Sequence, residues 1–269
     1  VMVMSPSTPV SNARIRYDRW VVWTGITVVL VLSWAYLLKM VRDMSGMDMG
    51  EMAMGKAGPT WDAAYVVWLF RMWSMMMIAM MLPSATPMIT TFATINRKQT
   101  EQQAGQKPLV PTFYFGLGYL LMWVVFSLVA TVAQWALHEA ALLSPMMVSA
   151  SPLFGGTLLI AAGVFQWTPL KNMCLRHCRS PIGFIMTEYR PGNRGALVMG
   201  LKHGTFCVFC CWFLMALLFF GGVMNLLWIA GLAGYVLLEK MVPHGLWVGR
   251  IVGLLLALWG VWVMWPAWG

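Results

Sequence analysis

Long apolar stretches alternate with short polar segments along this chain. A membrane span needs about 20 mainly apolar residues, and several segments approach that length. They cover residues 20–40, 62–82 with an extension past Pro83 to about 95, 112–136, 152–170, 204–222, 225–241 and 248–266. The pattern predicts an all-α fold, a polytopic transmembrane helix bundle of about seven spans.

The distribution of charged residues predicts the orientation of this bundle in the membrane. Charged residues make up 10% of the chain, against about 25% in soluble domains, which favours an integral membrane protein. If the N-terminus is cytoplasmic, most of the 18 Lys and Arg residues fall on the cytoplasmic side, as the positive-inside rule requires. We therefore expect the N-terminus in the cytoplasm and the C-terminus outside. The net charge of +9 then needs no nucleic-acid partner.

The same pattern predicts a single structural domain. Residues 1–19 are expected to form a basic cytoplasmic tail, and residues 20–269 one transmembrane domain. Within it we expect an outer methionine-rich loop at 43–59 and a cytoplasmic loop at 171–203. The first apolar run is too long for a cleavable signal peptide. We therefore expect a multi-pass protein of the bacterial cytoplasmic (inner) membrane, with the lipid bilayer as its first partner.

The predicted outer loop reads MSGMDMGEMAMGKAGP, from Met44 to Pro59. Methionine normally fills gaps in a core, and an aqueous loop has no core to fill. Its thioether is a soft ligand that suits Cu(I), so the loop is predicted to capture copper. The alternative is an amphipathic loop lying on the membrane surface. The candidate ligands are Met44, Met47, Met49, Met52 and Met54.

A second methionine-rich stretch, SMMMIAMMLPSATPM, runs from Ser74 to Met88 in the second predicted span. Pro83 and Pro87 each remove a helical hydrogen bond, and freed backbone groups in lipid need neighbouring protein as partners. We therefore predict a buried helix break there. The thioethers bracketing the break are candidate metal ligands, and the alternative is that they fill gaps around a kinked helix. These candidates are Met80, Met81 and Met88.

Cysteine and histidine gather in two short clusters that hold all five cysteines. Their spacings of three, four, seven and eight residues place each cluster on one helix face. We expect both clusters at the cytoplasmic membrane boundary. Cys and His suit Zn(II) or Cu(I), and nearby thioethers favour copper; the alternative is cysteine packed as a small apolar residue. The candidates are Cys174, His177 and Cys178 in CLRHC, and His203, Cys207, Cys210 and Cys211 in HGTFCVFCC.

Several charges lie within apolar segments and need partners. Arg71 in the second span is costly in lipid, and we expect it to find water or a carboxylate, with Glu139 and Asp62 as the candidate carboxylates. Glu239 and Lys240 end the sixth span, where we expect them to form an interfacial ion pair.

Four sequence blocks together carry a specific resemblance. They read MWSMMMIAMMLPSATPM, TPLKNMCLRHCRSP, GALVMGLKHGTFCVFCCWFLMALLFFGGVMNLLW and LEK. Over about residues 60–245 the chain resembles a bacterial family of predicted metal-binding integral membrane proteins. The family pattern falls on Met80, Met81, Pro83, Pro87, Met88, Pro169, Leu170, Lys171, Cys174, Cys178, His203, Gly204, Cys207, Cys210, Cys211, Asn225, Glu239 and Lys240. The resemblance implies metal binding inside a membrane bundle and no particular reaction.

The leading hypothesis is a copper-binding integral membrane protein that captures, buffers or delivers Cu(I). The outer methionines would capture the ion, those of the second span would relay it, and the Cys/His clusters would hold it. Zinc is the alternative metal. One rival hypothesis is a copper-dependent membrane oxidase or monooxygenase that works with a partner protein. It is weakened by the presence of only four histidines. Another rival is an accessory subunit of a larger membrane complex.

Overall fold

The computed structural model describes residues 12–45, 61–100, 109–144 and 147–267. These ranges are dominated by helices, as the apolar pattern predicted. The predicted outer loop falls almost entirely on 46–60 and so lies outside the described residues. The helices are α1 (Asn12–Ser45), α2 (Ala63–Thr100), α3 (Leu109–Glu139), α4 (Pro152–Phe165), α5 (Pro169–Arg179), α6 (Pro181–Glu188), α7 (Gly192–Ala216), α8 (Leu218–Gly221), α9 (Leu226–Met241) and α10 (Gly245–Met264).

Five helical segments of the described chain are long and apolar enough to cross a membrane: Arg16–Asp43, Ala63–Arg97, Leu109–Glu139, Gly192–Gly221 and Gly245–Met264. The pair α4 and α5 passes the same test together, but it is bent by 65°, so the predicted span 152–170 is a broken segment. Helix α9 has only 16 residues. In the described residues, five helical segments are therefore candidate spans, or six with the bent pair, where the apolar runs predicted about seven.

Local capping explains where several helices begin. The Asp62 carboxylate accepts from Tyr65 N (2.8 Å) at the start of α2. Thr168 accepts from Lys171 N at the start of α5, directly before a proline. Asn225 accepts from Trp228 N (3.2 Å) at the start of α9. Each side chain satisfies a backbone N–H that has no partner within the helix.

Helix α2 forms much of the core, and it continues through Pro83 and Pro87. The predicted break is therefore wrong. Neighbouring hydroxyls hydrogen-bond the backbone carbonyls around the prolines: Ser84 donates to Met81 O (2.9 Å), and Thr91 donates to Pro87 O (2.7 Å). Hydroxyls and neighbouring helices can sustain a proline-containing membrane helix in this way.

Arg71 lies on the exposed surface of α2. The described ion pairs include none between Arg71 and Glu139 or Asp62, so the prediction of these carboxylates as partners is wrong. The Asp62 carboxylate caps α2 instead. The ion pair that does involve α2 joins Arg97 to Asp18 of α1.

Helix α7 begins much earlier than its apolar run predicted. It starts at Gly192, directly after Pro191, and residues 171–203 form helices α5, α6 and the first half of α7 instead of a loop. Cys207 consequently lies near the middle of the helical segment Gly192–Gly221, which is long and apolar enough to cross a membrane. The position of this cysteine cluster at the cytoplasmic membrane boundary stays a prediction.

Glycines allow the closest approach between helices. A Cβ at Gly200 of α7 would collide with Phe115 O of α3, and one at Gly118 would collide with Leu197 O. Small residues let membrane helices pack backbone to backbone, so α7 lies directly against α3. Helices α4 and α10 pair in the same manner.

Helix α9 folds back antiparallel to α7 after a short turn. Near the turn, Trp228 Nε1 donates to Leu217 O (2.8 Å). Further along, Lys240 Nζ lies 2.9 Å from Cys207 Sγ. The main packing partner of α9 is α2, so the end of α9 approaches α2 and α7 together.

Candidate metal centre

Cys207 is the centre of a buried polar cluster in the middle of the bundle. Its Sγ lies 2.9 Å from Lys240 Nζ and 3.2 Å from the Tyr119 hydroxyl. All three side chains are buried, with Cys207 1% and Tyr119 0% exposed. Helices α3, α7 and α9 thus each supply one polar group to the same point.

Three further cysteines surround Cys207. They lie close enough to Cys207 for electrostatic interaction, and Cys178 Sγ lies 4.0 Å from Cys210 Sγ. The thiols of Cys210 and Cys211 also donate to Cys207 O, at 3.1 and 2.8 Å. All five cysteines of the chain are free and buried. We call Cys178, Cys207, Cys210 and Cys211 the thiol cluster.

Cys174 lies at the edge of this arrangement. It is buried one turn before Cys178 in α5. It is close enough to Cys210 and Lys171 for charge interactions, yet the hydrogen bonds among the thiols of the described residues join other cysteines. The spacing in the sequence predicted Cys174 and Cys178 on one face, and both are buried together.

Ser84 links the proline-containing helix to the thiol cluster. Its Oγ accepts from Lys240 Nζ (3.1 Å) and donates to Met81 O. The Tyr119 hydroxyl also donates to Met81 O (3.1 Å). The carbonyl of Met81, just before Pro83, thus receives two hydroxyls that belong to the environment of Cys207.

The two candidate histidines have different surroundings. His177 is exposed, stacks on Phe206 with ring centroids 4.4 Å apart, and places Nδ1 2.9 Å from Met173 O. It does not share the buried face of Cys174 and Cys178, so that part of the predicted cluster is wrong. His203 is buried among aromatic rings, and its Nδ1 has no hydrogen-bond partner.

The candidate methionines of α2 are deeply buried. Met80, Met81 and Met88 are 1% exposed or less. Of the three, Met81 is tied to the thiol cluster through its backbone carbonyl. The outer methionines lie outside the described part of the chain, apart from Met44 at the end of α1, whose side chain is also not described.

A family model described as PpoB2, copper chaperone, matches residues 70–263, well over half of the chain. The chain belongs to the PpoB2 copper chaperone family. No curated protein and no solved structure matches it. The relation to copper that the cysteines and methionines predicted is thereby confirmed at the level of the family. Every residue of the thiol cluster and Lys240 lies inside the matched range, whereas the outer methionine loop precedes it.

The thiol cluster of this PpoB2 family member offers cysteine sulfur, a soft donor of the kind that suits copper. In the part of the chain that the structure describes, no three His, Cys, Asp or Glu side chains are arranged to hold a metal ion as a group.

A second buried polar group adjoins the thiol cluster. Lys171 Nζ lies 2.8 Å from Glu239 Oε2, and each side chain is 1% exposed. The Tyr235 hydroxyl donates to Glu239 Oε1 (3.4 Å) and accepts from Gln166 Nε2 (3.2 Å). The expected interfacial pair between Glu239 and Lys240 is therefore wrong, since each residue has a different buried partner.

Sequence reasoning missed three residues that contact Cys207 or its partners. Lys240 stands in the LEK block and Ser84 in LPSATP, so both lay within motifs of the resemblance. Nothing in the sequence marks Tyr119 as a site residue, because a tyrosine in an apolar span looks like any other core aromatic residue.

Proposed function

We propose that this PpoB2 family member is an integral membrane protein that binds Cu(I) at the thiol cluster and buffers or delivers it. The observation that carries the proposal is the convergence of Cys178, Cys207, Cys210 and Cys211 inside helices apolar enough to cross a membrane. Four thiols so placed offer a soft site away from water. Such a site holds Cu(I) in preference to hard cations.

The remaining predicted ligands are proposed to serve entry and transfer. The outer methionines would capture copper, and the thioethers of Met80, Met81 and Met88 would pass it along α2 to the thiol cluster. Support comes from the burial of these three side chains and from the contact of the Met81 carbonyl with the Tyr119 hydroxyl. Thioethers bind Cu(I) less tightly than thiolates, so transfer would run towards the cysteines.

The geometry favours binding and delivery over the rival oxidase. Oxygen chemistry at copper would be favoured by histidine ligation, and of the two candidate histidines His177 is exposed and stacks on Phe206. The proposed location is the cytoplasmic membrane of a bacterium with the N-terminus inside. Support comes from the apolar segments and from the distribution of Lys and Arg.

Copper retention by the purified chain tests the proposal. The full chain is extracted in detergent, loaded with Cu(I), desalted, and its copper content measured. The variant Cys207→Ser/Cys210→Ser/Cys211→Ser is expected to lose its bound copper, whereas Cys174→Ser, at the edge of the cluster, retains most of it. Equal copper content in the triple variant and the unaltered chain would overturn the proposal.

A further inference from the structure

Lys240 is a buried ammonium that faces thiols instead of a carboxylate. Its Nζ contacts Cys207 Sγ at 2.9 Å and Ser84 Oγ at 3.1 Å, and the residue is 8% exposed. The neighbouring carboxylate of Glu239 is held by Lys171 on another side of α9. Among the described groups the natural counter-charge for Lys240 is therefore a thiolate at Cys207.

Charge balance matters at a buried site such as that of Lys240, because an uncompensated charge in a low-dielectric interior is costly. Two thiolates and one Cu(I) ion leave a single negative charge. The ammonium of Lys240 cancels that charge. Two thiolates and a divalent ion are already neutral, so the same ammonium would then be left without a counter-charge.

A divalent ion would need a third thiolate to restore neutrality. A site that binds its ion through two thiolates next to Lys240 is therefore electrostatically suited to a monovalent ion.

We propose that Lys240 is the built-in counter-cation of a Cu(I) dithiolate and gives the thiol cluster its preference for monovalent over divalent metal ions. This inference rests on the proposed function. Lys240 acts through charge and through its contact with Cys207, and it donates no electron pair to the metal. Ser84 orients the ammonium from the opposite side.

The test compares Cu(I) and Zn(II) affinities of the full chain in detergent, each by competition with a chromogenic chelator. Lys240→Met and Lys240→Gln are expected to lower the ratio of Cu(I) to Zn(II) affinity by at least about tenfold, the scale of one charge-assisted contact. Lys240→Arg keeps the charge and is expected to restore most of the ratio. Lys202→Met, at a partly exposed lysine that pairs with Glu188, is the matched control and leaves the ratio unchanged.

The ratio of Cu(I) to Zn(II) affinity distinguishes a loss of charge from a general loosening of the site, because loosening would lower both affinities together. A ratio in Lys240→Met and Lys240→Gln equal to that of the unaltered chain would overturn the inference while leaving the proposed function intact. Failure of the unaltered chain to bind Cu(I) would overturn the proposed function itself.

Discussion

At the scale of single residues, neighbours in sequence proved to have separate partners. Glu239 and Lys240 look like an ion pair in the sequence, yet consecutive side chains on a helix do not face each other. Glu239 consequently meets Lys171, and Lys240 meets Cys207. The burial of both was not predictable from the LEK block alone, because it depends on which helices pack around the end of α9.

The cysteines were predicted more accurately than the histidines. Helical spacing correctly placed Cys207, Cys210 and Cys211 on one buried face, because the period of an α-helix is fixed. The same argument placed His177 beside Cys178, but His177 stacks on Phe206 at the surface. Spacing restricts a side chain to a sector of the helix, whereas the neighbouring helices decide whether that sector is covered.

Gly200 offers a test of the packing that positions the thiol cluster. A Cβ there would collide with the Phe115 backbone of α3, which cannot move as a side chain can. Gly200→Ala is expected to destabilise the chain by about 1–3 kcal/mol, the usual cost of overpacking. Thermal unfolding in detergent measures the change.

Gly116→Ala is the matched control, because a Cβ at Gly116 of α3 meets nothing within 4 Å. It should leave the unfolding temperature unchanged or raise it slightly, since alanine favours helix more than glycine does. An equal loss of stability in both variants would contradict the close backbone contact between α3 and α7.

At the scale of elements, apolar runs predicted helices better than they predicted helix ends. The start of α7 was missed because polar residues such as Arg194 and Lys202 interrupt the apolar pattern, although the helix continues through them. The prolines of α2 predicted a break, yet the helix continues through them, and Ser84, Thr91 and Tyr119 hydrogen-bond nearby carbonyls. Such tertiary partners are invisible in a single segment.

The predicted outer methionine loop gives a prediction at this scale. Replacing Met47, Met49, Met52 and Met54 by leucine keeps the apolar character and removes the thioethers. If the loop captures copper, cells that make this variant should accumulate less copper from dilute medium than cells with the unaltered chain. The copper content of washed cells is measured by inductively coupled plasma analysis, at equal levels of the two proteins.

The leucine variant also distinguishes copper capture by the loop from a loop that only lies on the membrane surface. A loop that only rests on the membrane surface would tolerate leucine, and cellular copper would then stay the same. That result would contradict capture while leaving the thiol cluster untouched.

At the scale of the whole molecule, the sequence predicted the all-α class, but two of the predicted spans are a bent helix pair and a helix of 16 residues. The 65° bend between α4 and α5 brings Cys178 against Cys210 and Lys171 against Glu239. The short α9 brings Lys240 to the same region. The irregular elements thus assemble the site, and their geometry depends on contacts far apart in sequence.

The central claim is that copper is held as Cu(I) by cysteine sulfur inside the bundle. Copper K-edge X-ray absorption of the loaded, detergent-purified chain tests it most directly. We expect an absorption edge typical of Cu(I) and a first coordination shell of sulfur. We also expect the sulfur signal to be lost in Cys207→Ser/Cys210→Ser/Cys211→Ser. A first shell of nitrogen and oxygen, or the same sulfur shell in the triple variant, would contradict it.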